Sequence, residues 1–475
     1  MKINTNPLQS RRLIIVTLFA FLLVYVIIRA YILTFTHDES LSFTIVEGSD
    51  NWKYTANNHL LNTFLMSWSN SLFGNSEFSL RLPNVLAFIL YLTGCFYLFK
   101  TTKSNWLLFF GLTMVLLNPF LIEFFSLARG YGLSLAFMMI SIFFLLRNGN
   151  HYTSFSLLIK DLAFASLFAS LALYANLGMI NFYISLLIVF MLKYVVFKWK
   201  QGKNLRSDLQ FAGVLIASFI PIYWGMSRLL QLKAAEQLYY GEHSIMKGAD
   251  SLINASMYVL EDNVVMIAIV KIVVVLFLFA GVFYIIRQKK YDGPLFVISL
   301  LIMFLTLGLF LEHHLFGAKY PVERTALFFI PILALFIYHL LLDVESTLPK
   351  KYMLTLIVCL TVPMCINFIA GSNFTHTKTW SYDKHTKDAV TLIEEKSKGF
   401  NKKVSIGNYW LSEPALNYYI KRWRLNIQPA KRDELDVSAD FIYLLEDTTL
   451  HDNYRVLRSY EDIQSRLLIK KEVVE

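Results

Sequence analysis

The chain has 475 residues, 56% of them hydrophobic and 16% aromatic, with only 16% charged and a formal net charge of +10. That balance excludes a soluble enzyme with a single anchor and describes a polytopic membrane protein. Cys95, Cys359 and Cys365 all fall within apolar runs, which leaves neither a disulfide framework nor a CxxC metal site.

Lys2, Arg11 and Arg12 precede the first apolar run, Leu13 to Phe35. Basic residues flanking a span stay cytoplasmic, so the far end of this run faces outward. The run is longer than a signal-peptide core and lacks a clear small-residue cleavage site, so it is expected to persist as a helix. Directly after it stands Thr36-His37-Asp38-Glu39-Ser40, two acids where a spanning helix leaves the bilayer. The loop continues through Asn57-Asn58-His59-Leu60-Leu61-Asn62, with apolar residues at helical spacing, and predicts a helix lying along the membrane surface.

Crossing a hydrocarbon core of ~30 Å takes about 20 apolar residues. Such runs occur at roughly 13–35, 82–99, 105–122, 131–146, 158–175, 177–197, 209–227, 264–286, 295–311, 325–342 and 352–370, about eleven helices in all, with the pair around Asn176 least distinct. Lys100, Lys103, Arg147, the Lys193 to Arg206 stretch, Arg287 to Lys290, Lys350 and Lys351 all fall in loops assigned to the inside. The positive charge therefore follows topology, and no nucleic-acid partner is expected. The longer outward loops are 36–81, 228–262 and 312–324.

After Ala370 the chain turns charged and mixed, and an odd number of spans places it outside. Thr386 to Lys396 and Trp410 to Ile420 read as helices, Lys403 to Ile406 and Phe441 to Leu445 as strands. The expected architecture is a transmembrane domain over 1–370 and a small extracytoplasmic α/β domain over 371–475.

Four features together resemble the polytopic glycosyltransferases of the GT-C superfamily. They are Asp38-Glu39 after the first span, Phe78-Ser79-Leu80-Arg81-Leu82-Pro83 at the second, Asn118-Pro119 followed by Ala128-Arg129-Gly130-Tyr131, and Tyr320-Pro321-Val322-Glu323-Arg324 before a late span. The branch is that of protein O-mannosyltransferases and aminoarabinose lipid A transferases, the family 39-like enzymes. The likeness covers the first 150 residues or so well and the remaining helices by topology. Where many relatives carry a Pro-Pro-Leu-Tyr-like stretch, this chain has Asn58-His59-Leu60-Leu61, which bears on the identity of the sugar.

The resemblance implies a GT-C-like enzyme of a cell inner membrane that moves a sugar from a polyprenyl-phosphate donor to an extracytoplasmic acceptor, a protein, glycan or lipid. It places the catalytic acid at Asp38. Chemically, the attacking hydroxyl or amine must lose a proton, and a positioned carboxylate can serve as general base. Glu39 would then orient Asp38 or the acceptor, or coordinate a divalent metal ion if one is used. Asp38 as the N-cap of a helix starting at Glu39 is the plainer alternative.

The departing lipid phosphate calls for cations, and Arg129, Lys319 and Arg324 are the candidates, with Tyr131 beside the first. Arg129 could equally anchor at the headgroups. His59 and Asn58 could bind sugar or phosphate, or merely show the polar face of the surface helix. Arg81 is a further candidate, although an ion pair with Glu77 is the simpler account. Arg29 lies within the first span, where charge is costly and often functional. His313 and His314 lack a spaced third ligand and suggest packing at the interface. No glycine-rich phosphate loop appears, which argues against a soluble nucleotide substrate. A transporter or flippase of lipid-linked sugar, or a non-catalytic envelope assembly protein, are the rival readings; the former would show internal repeats.

Overall fold

The apolar runs all form helices, and what differs among them is how each meets its neighbours. The computed structural model describes residues 7–49, 54–149, 152–201, 205–432, 435–444 and 453–473. The first half runs α1 (Pro7–Ile32), α2 (His37–Val46), α3 (Leu60–Phe73), α4 (Glu77–Phe99), α5 (Asn105–Leu116), α6 (Pro119–Glu123), α7 (Gly130–Leu146), α8 (Phe155–Ala175) and α9 (Ile180–Gln201). It continues with α10 (Leu205–Ala234), α11 (Ile245–Ser256), α12 (Val264–Gln288), α13 (Pro294–Phe316), α14 (Phe329–Val344) and α15 (Lys350–Gly371).

Eight of the described helices are long and apolar enough to cross a membrane, and α5 with α6 makes a ninth if their 58° bend is one broken span. The break has a local cause. Pro119 has no N–H to continue the ladder, and the Asn118 side chain instead accepts from the N–H of Leu121 at 3.0 Å. The remaining two apolar helices, α7 and α14, have 17 and 16 residues. At 1.5 Å per residue α7 is about 25 Å long. It is buried along most of its length between α4 and α8, so it need not match the bilayer on its own. By contrast α12 fully buries only Gly281 and Ile285 and leaves the rest of its surface exposed or half-buried. Asn176 does separate two helices, as the C-cap of α8.

Beyond α15 the chain forms α16 (Thr386–Lys396), β1 (Ile406–Asn408), α17 (Glu413–Arg422), β2 (Phe441–Leu444), β3 (Tyr454–Tyr460) and β4 (Ser465–Lys470). The sheet order is β1-β2-β4-β3, with β1 parallel to β2 and the other pairs antiparallel. The expected first strand is displaced from Lys403–Ile406 to start at Ile406, because Val404 pairs instead with Ile427 in an isolated bridge. The second helix starts at Glu413 and not at Trp410, since Pro414 fixes its first turn. β3 and β4 were not anticipated; β3 exposes five of its seven side chains at least in part and carries a weak apolar pattern.

This unit shares a core with the membrane part. Phe35, Phe43, Met66, Leu80 and Ala128 join Ala389, Leu416, Tyr418, Phe441 and Leu467 in one buried cluster. Phe35 stacks on Tyr418 at 4.1 Å, and its N–H donates to the Tyr419 hydroxyl at 2.8 Å. Glu77 receives Lys387 at 2.9 Å and also pairs with Arg422. The sheet unit thus sits on α2, α3 and the start of α4.

Candidate active site

The site is built from the turn between α1 and α2. Helix α2 begins at His37 with Thr36 in the N-cap position, so Asp38 is the second helical residue and not a cap. The capping carboxylate is Glu39, whose Oε2 accepts from the Thr36 N–H and hydroxyl, both at 3.0 Å.

Glu39 is fully buried and faces inward. Its Oε1 accepts from Arg81 Nε at 2.7 Å and from the Ala128 N–H at 2.6 Å, while Oε2 also accepts from Arg81 Nη2 at 2.7 Å. Arg81 spends its other N–H groups on the carbonyls of Ala30, Leu33 and Thr34, capping the end of α1. All five guanidinium N–H groups are therefore in use. Two expectations change. Arg81 pairs with Glu39 and not with Glu77, because Glu77 turns to Lys387 and Arg422. Arg81 also has no donor left for a phosphate. Glu39 in turn has no lone pair open to a metal ion, and it does not bond the Asp38 side chain. Among the described residues no group of three or more His, Cys, Asp or Glu comes together.

Asp38, one residue earlier, points the other way and stays partly exposed. Its Oδ2 lies 3.3 Å from Nη2 of Arg129. Arg129, in the N-cap position of α7, is buried and donates to the Asp38 carbonyl at 3.2 Å, Ser42 Oγ at 3.0 Å, the Asn57 carbonyl at 3.1 Å and Asn57 Oδ1 at 2.6 Å. A buried, four-bonded guanidinium is not a headgroup anchor, and that alternative falls. Its neighbour Gly130 is required by space, since a Cβ there would meet the Ala175 carbonyl at 1.9 Å and His59 at 2.8 Å.

His59 heads α3 against this junction. Its Nδ1 is 3.1 Å from the Ala175 carbonyl, so Nδ1 carries the hydrogen and the buried Nε2, which has no partner among the described residues, presents a lone pair. Burial and then the charge of Arg129 push its pKa well below the ordinary imidazole value, so it stays neutral. Tyr131 packs edge-on to this ring at 4.9 Å and to Phe124 at 5.0 Å. Asn58 accepts from the Thr63 hydroxyl at 2.9 Å inside the first turn of α3, a local role.

Arg324 reaches the site from the turn before α14. Its guanidinium lies over Tyr240 at 4.5 Å and Trp380 at 5.3 Å, and Nη1 donates to the Tyr240 hydroxyl at 3.0 Å. Burial works against its charge, but Tyr131 and Asp38 are near enough to hold its pKa above the ordinary value. Lys319 goes elsewhere: Nζ donates to the Tyr239 carbonyl at 2.6 Å, beside a mainly apolar cavity of about 310 Å³ between the ends of α10 and α13. His313 bonds the Ala318 carbonyl through Nδ1 at 2.7 Å and stacks on Tyr320, which closes the end of α13. Arg29 is also structural: it meets Glu123 at 3.5 Å and the carbonyls of Asn373 at 2.5 Å and His376 at 3.1 Å, tying α1 to the broken span and to the segment after α15.

Several residues here were not singled out from the sequence. The His37 N–H donates to Asp383 Oδ2 at 2.7 Å, and its Nδ1 lies 2.6 Å from the Leu411 carbonyl. Burial pushes the Asp383 carboxyl well above the ordinary range; the His37 N–H opposes this, and the nearby Asp38 and Glu39 add to it. Tyr382 packs edge-on to the His37 ring at 6.5 Å; burial pushes its hydroxyl up, Asp383 and Asp38 add to that, and Arg324 and Arg432 oppose it. The one cue is the polar and aromatic run Trp380-Ser381-Tyr382-Asp383 soon after the last span.

No protein-family model matches the chain, and no curated protein matches it. Among solved structures, ArnT from Cupriavidus metallidurans in the apo state aligns with a TM-score of 0.52 at 12% identity, covering 95% of this chain and 97% of that one. The same protein bound to undecaprenyl phosphate aligns with a TM-score of 0.52 at 11% identity over the same shares. An Archaeoglobus fulgidus oligosaccharyltransferase in complex with Zn and sulfate aligns at 0.41 and 13% identity, over 84% of this chain and 61% of that one. The ArnT alignments span nearly the whole of both chains, and the protein shares the overall fold of that structure, with a small C-terminal sheet.

Proposed function

We propose that the protein is a membrane glycosyltransferase that moves a sugar from a polyprenyl-phosphate donor to an acceptor on the outer face of the membrane, with Asp38 as general base. The observation that carries this reading is the division of labour between neighbours: Glu39 is saturated by buried partners, whereas Asp38 stays partly exposed with Arg129 at 3.3 Å and Arg324 nearby. The ArnT structure bound to undecaprenyl phosphate supports the class of donor.

In the reaction, an acceptor hydroxyl or amine attacks the anomeric carbon as Asp38 takes its proton. The bond from that carbon to the phosphate oxygen breaks, and the lipid phosphate leaves with the electron pair. Single displacement inverts the anomeric centre. Arg324 and Arg129 stand where that negative charge develops, the first partly buried and the second fully buried, each fixed by its hydrogen bonds so that it need not reorganise. Neutral His59 offers Nε2 as an acceptor for a donor hydroxyl. Lys319 bonds the carbonyl of Tyr239, which with Lys233 lines the apolar cavity between α10 and α13, and that cavity suits an isoprenoid chain with its phosphate at the mouth.

The outward orientation rests on charge: Arg11 bonds carbonyls of Thr102 and Lys103, gathering basic residues at the end of the bundle opposite Asp38. A transporter would carry interrupted spans at matching positions in two halves. Among the described residues a single bent pair occurs, which favours the enzyme.

The test is transfer from radiolabelled polyprenyl-phosphate sugars by protein reconstituted with extracted envelope acceptors. Removing a general base costs about 10²–10⁴-fold, so Asp38→Asn at equal folded yield should lose transfer by that factor. Transfer at the wild-type rate in Asp38→Asn would remove Asp38 from the chemistry.

A further inference from the structure

We propose that the C-terminal unit supplies the acceptor subsite of this active site and that the acceptor it takes is a saccharide, presented to Asp38 across Trp410, Tyr409 and Arg432. The inference rests on the glycosyl-transfer reading above and adds to it the acceptor class and the residues that would hold it.

The start of α17 is fixed by Pro414, so Tyr409 and Trp410 are left in the turn before it. Both rings are about two-fifths exposed, at 40% and 41%, although the surrounding residues Asn408 and Ser412 are buried. The two aromatics lie 6.0 Å apart. A turn holding two large rings at the surface gains nothing in folding stability from the area it leaves in water. Their position is what gives the exposure meaning. Trp410 meets the His37 ring at 5.9 Å and at 89°, and the Leu411 carbonyl next to it bonds His37 Nδ1 at 2.6 Å. His37 directly precedes Asp38 on the first turn of α2, so this turn is fastened to the residue beside the general base.

Charged groups frame the rings. Arg432 lies 5.3 Å from the Trp410 ring centre and pairs with Glu413 at 3.2 Å, while Glu413 is oriented by Asn417 at 2.6 Å. The Tyr382 ring also meets His37, at 6.5 Å and 76°, so Tyr382, Trp410 and Asp38 gather around that one residue. The platform and the proposed base thus border one site, approached from the side of the C-terminal unit, while Arg324 borders it from the membrane side.

A sugar ring presents C–H groups on its faces and hydroxyls around its rim. Exposed aromatic surface flanked by a guanidinium and a carboxylate matches both parts, the rings packing against the C–H face and Arg432 and Glu413 bonding hydroxyls. An extended peptide would look instead for a free sheet edge here; β1 is an edge strand, but the segment after α17 runs along its outer side, with the Gln428 N–H donating to the Val404 carbonyl at 2.8 Å and the Asn408 side chain donating to the Lys431 carbonyl at 3.2 Å.

The experiment uses the full-length protein in nanodiscs with fluorescently labelled oligosaccharides released from the host envelope by mild acid. Loss of aromatic packing weakens binding by about tenfold, so Trp410→Ala should raise the Kd by at least that factor, with Trp410→Phe restoring most of it. In transfer assays the same change should appear in KM for the oligosaccharide more than in kcat. Unchanged affinity in Trp410→Ala, or equal loss in Trp410→Ala and Trp410→Phe, would overturn the proposal. So would displacement of the oligosaccharide by an unglycosylated peptide pool. Oligosaccharide binding that depends on Trp410, in a protein whose wild type releases no sugar from any polyprenyl-phosphate donor, would overturn the glycosyl-transfer reading while leaving a saccharide site in place.

Discussion

Asp38 and Glu39 are adjacent in sequence and belong to opposite regions of the molecule. Below α2 lies a sealed layer, where Glu39, Arg81, Thr36 and the Ala128 N–H satisfy one another out of contact with water. Above it lies the open side, where Asp38 meets Arg129, and Arg324, Tyr382 and the turn at Trp410 converge. A step of 100° per residue around a helix is enough to send the two carboxylates to different faces. The lesson is that the sealed acid positions the open one: the Glu39 to Arg81 pair fixes where α2 starts, and so where Asp38 points.

The largest expected effect would break the sealed side. Glu39→Ala leaves the Arg81 guanidinium buried without its partner, a loss of about 3–5 kcal/mol. Monodisperse yield and thermal unfolding in detergent should both fall sharply, whereas Asp38→Asn should fold normally and lose transfer. Equal stability of the two variants would contradict the division between the regions.

Next comes the junction that joins them. Gly130→Ala places a Cβ 1.9 Å from the Ala175 carbonyl, so α7 or α8 must shift. Overpacking of this kind costs about 1–3 kcal/mol. Because Arg129 is the preceding residue, transfer should fall more than the unfolding temperature would suggest, read as kcat on protein that remains folded.

The smallest effect is a pH dependence. The Asp383 carboxyl is held well above its ordinary range in the folded protein, chiefly by burial. The folded state therefore binds more protons than the unfolded one, and stability falls as pH rises from the ordinary carboxylate range toward the folded value. Asp383→Asn keeps a neutral group there and should flatten that decline, measured as unfolding temperature against pH in wild type and variant. A steeper decline in the variant would show that the carboxyl is ionised in the fold.

Much of this fold is written in local pattern. Each apolar run became helix because a segment of about 20 apolar residues has no other way to satisfy its backbone in lipid. Thr386–Lys396 was legible for a similar reason, its apolar face recurring at helical spacing. Arg129 and Arg324 could be picked out as cations on the outward side, and Asp38 as an acid at the end of a span. Lys319 looked equivalent to them, yet it faces the Tyr239 carbonyl, because the pairing of Glu242 with Tyr320 turns it toward the 228–262 loop.

The sequence by itself determined that this chain crosses a membrane many times, where its apolar segments lie, and that two acids follow the first of them. Those properties reside in composition and short-range period, which each segment carries alone. The tertiary structure decided which acid is open, which arginine is used up in capping α1, and that Asp383, 346 positions after His37, closes the same site. No local pattern encodes those facts, because each depends on which buried hydrogen bonds are satisfied first when distant segments pack. A carboxylate or guanidinium taken out of water must find its partners wherever the fold brings them.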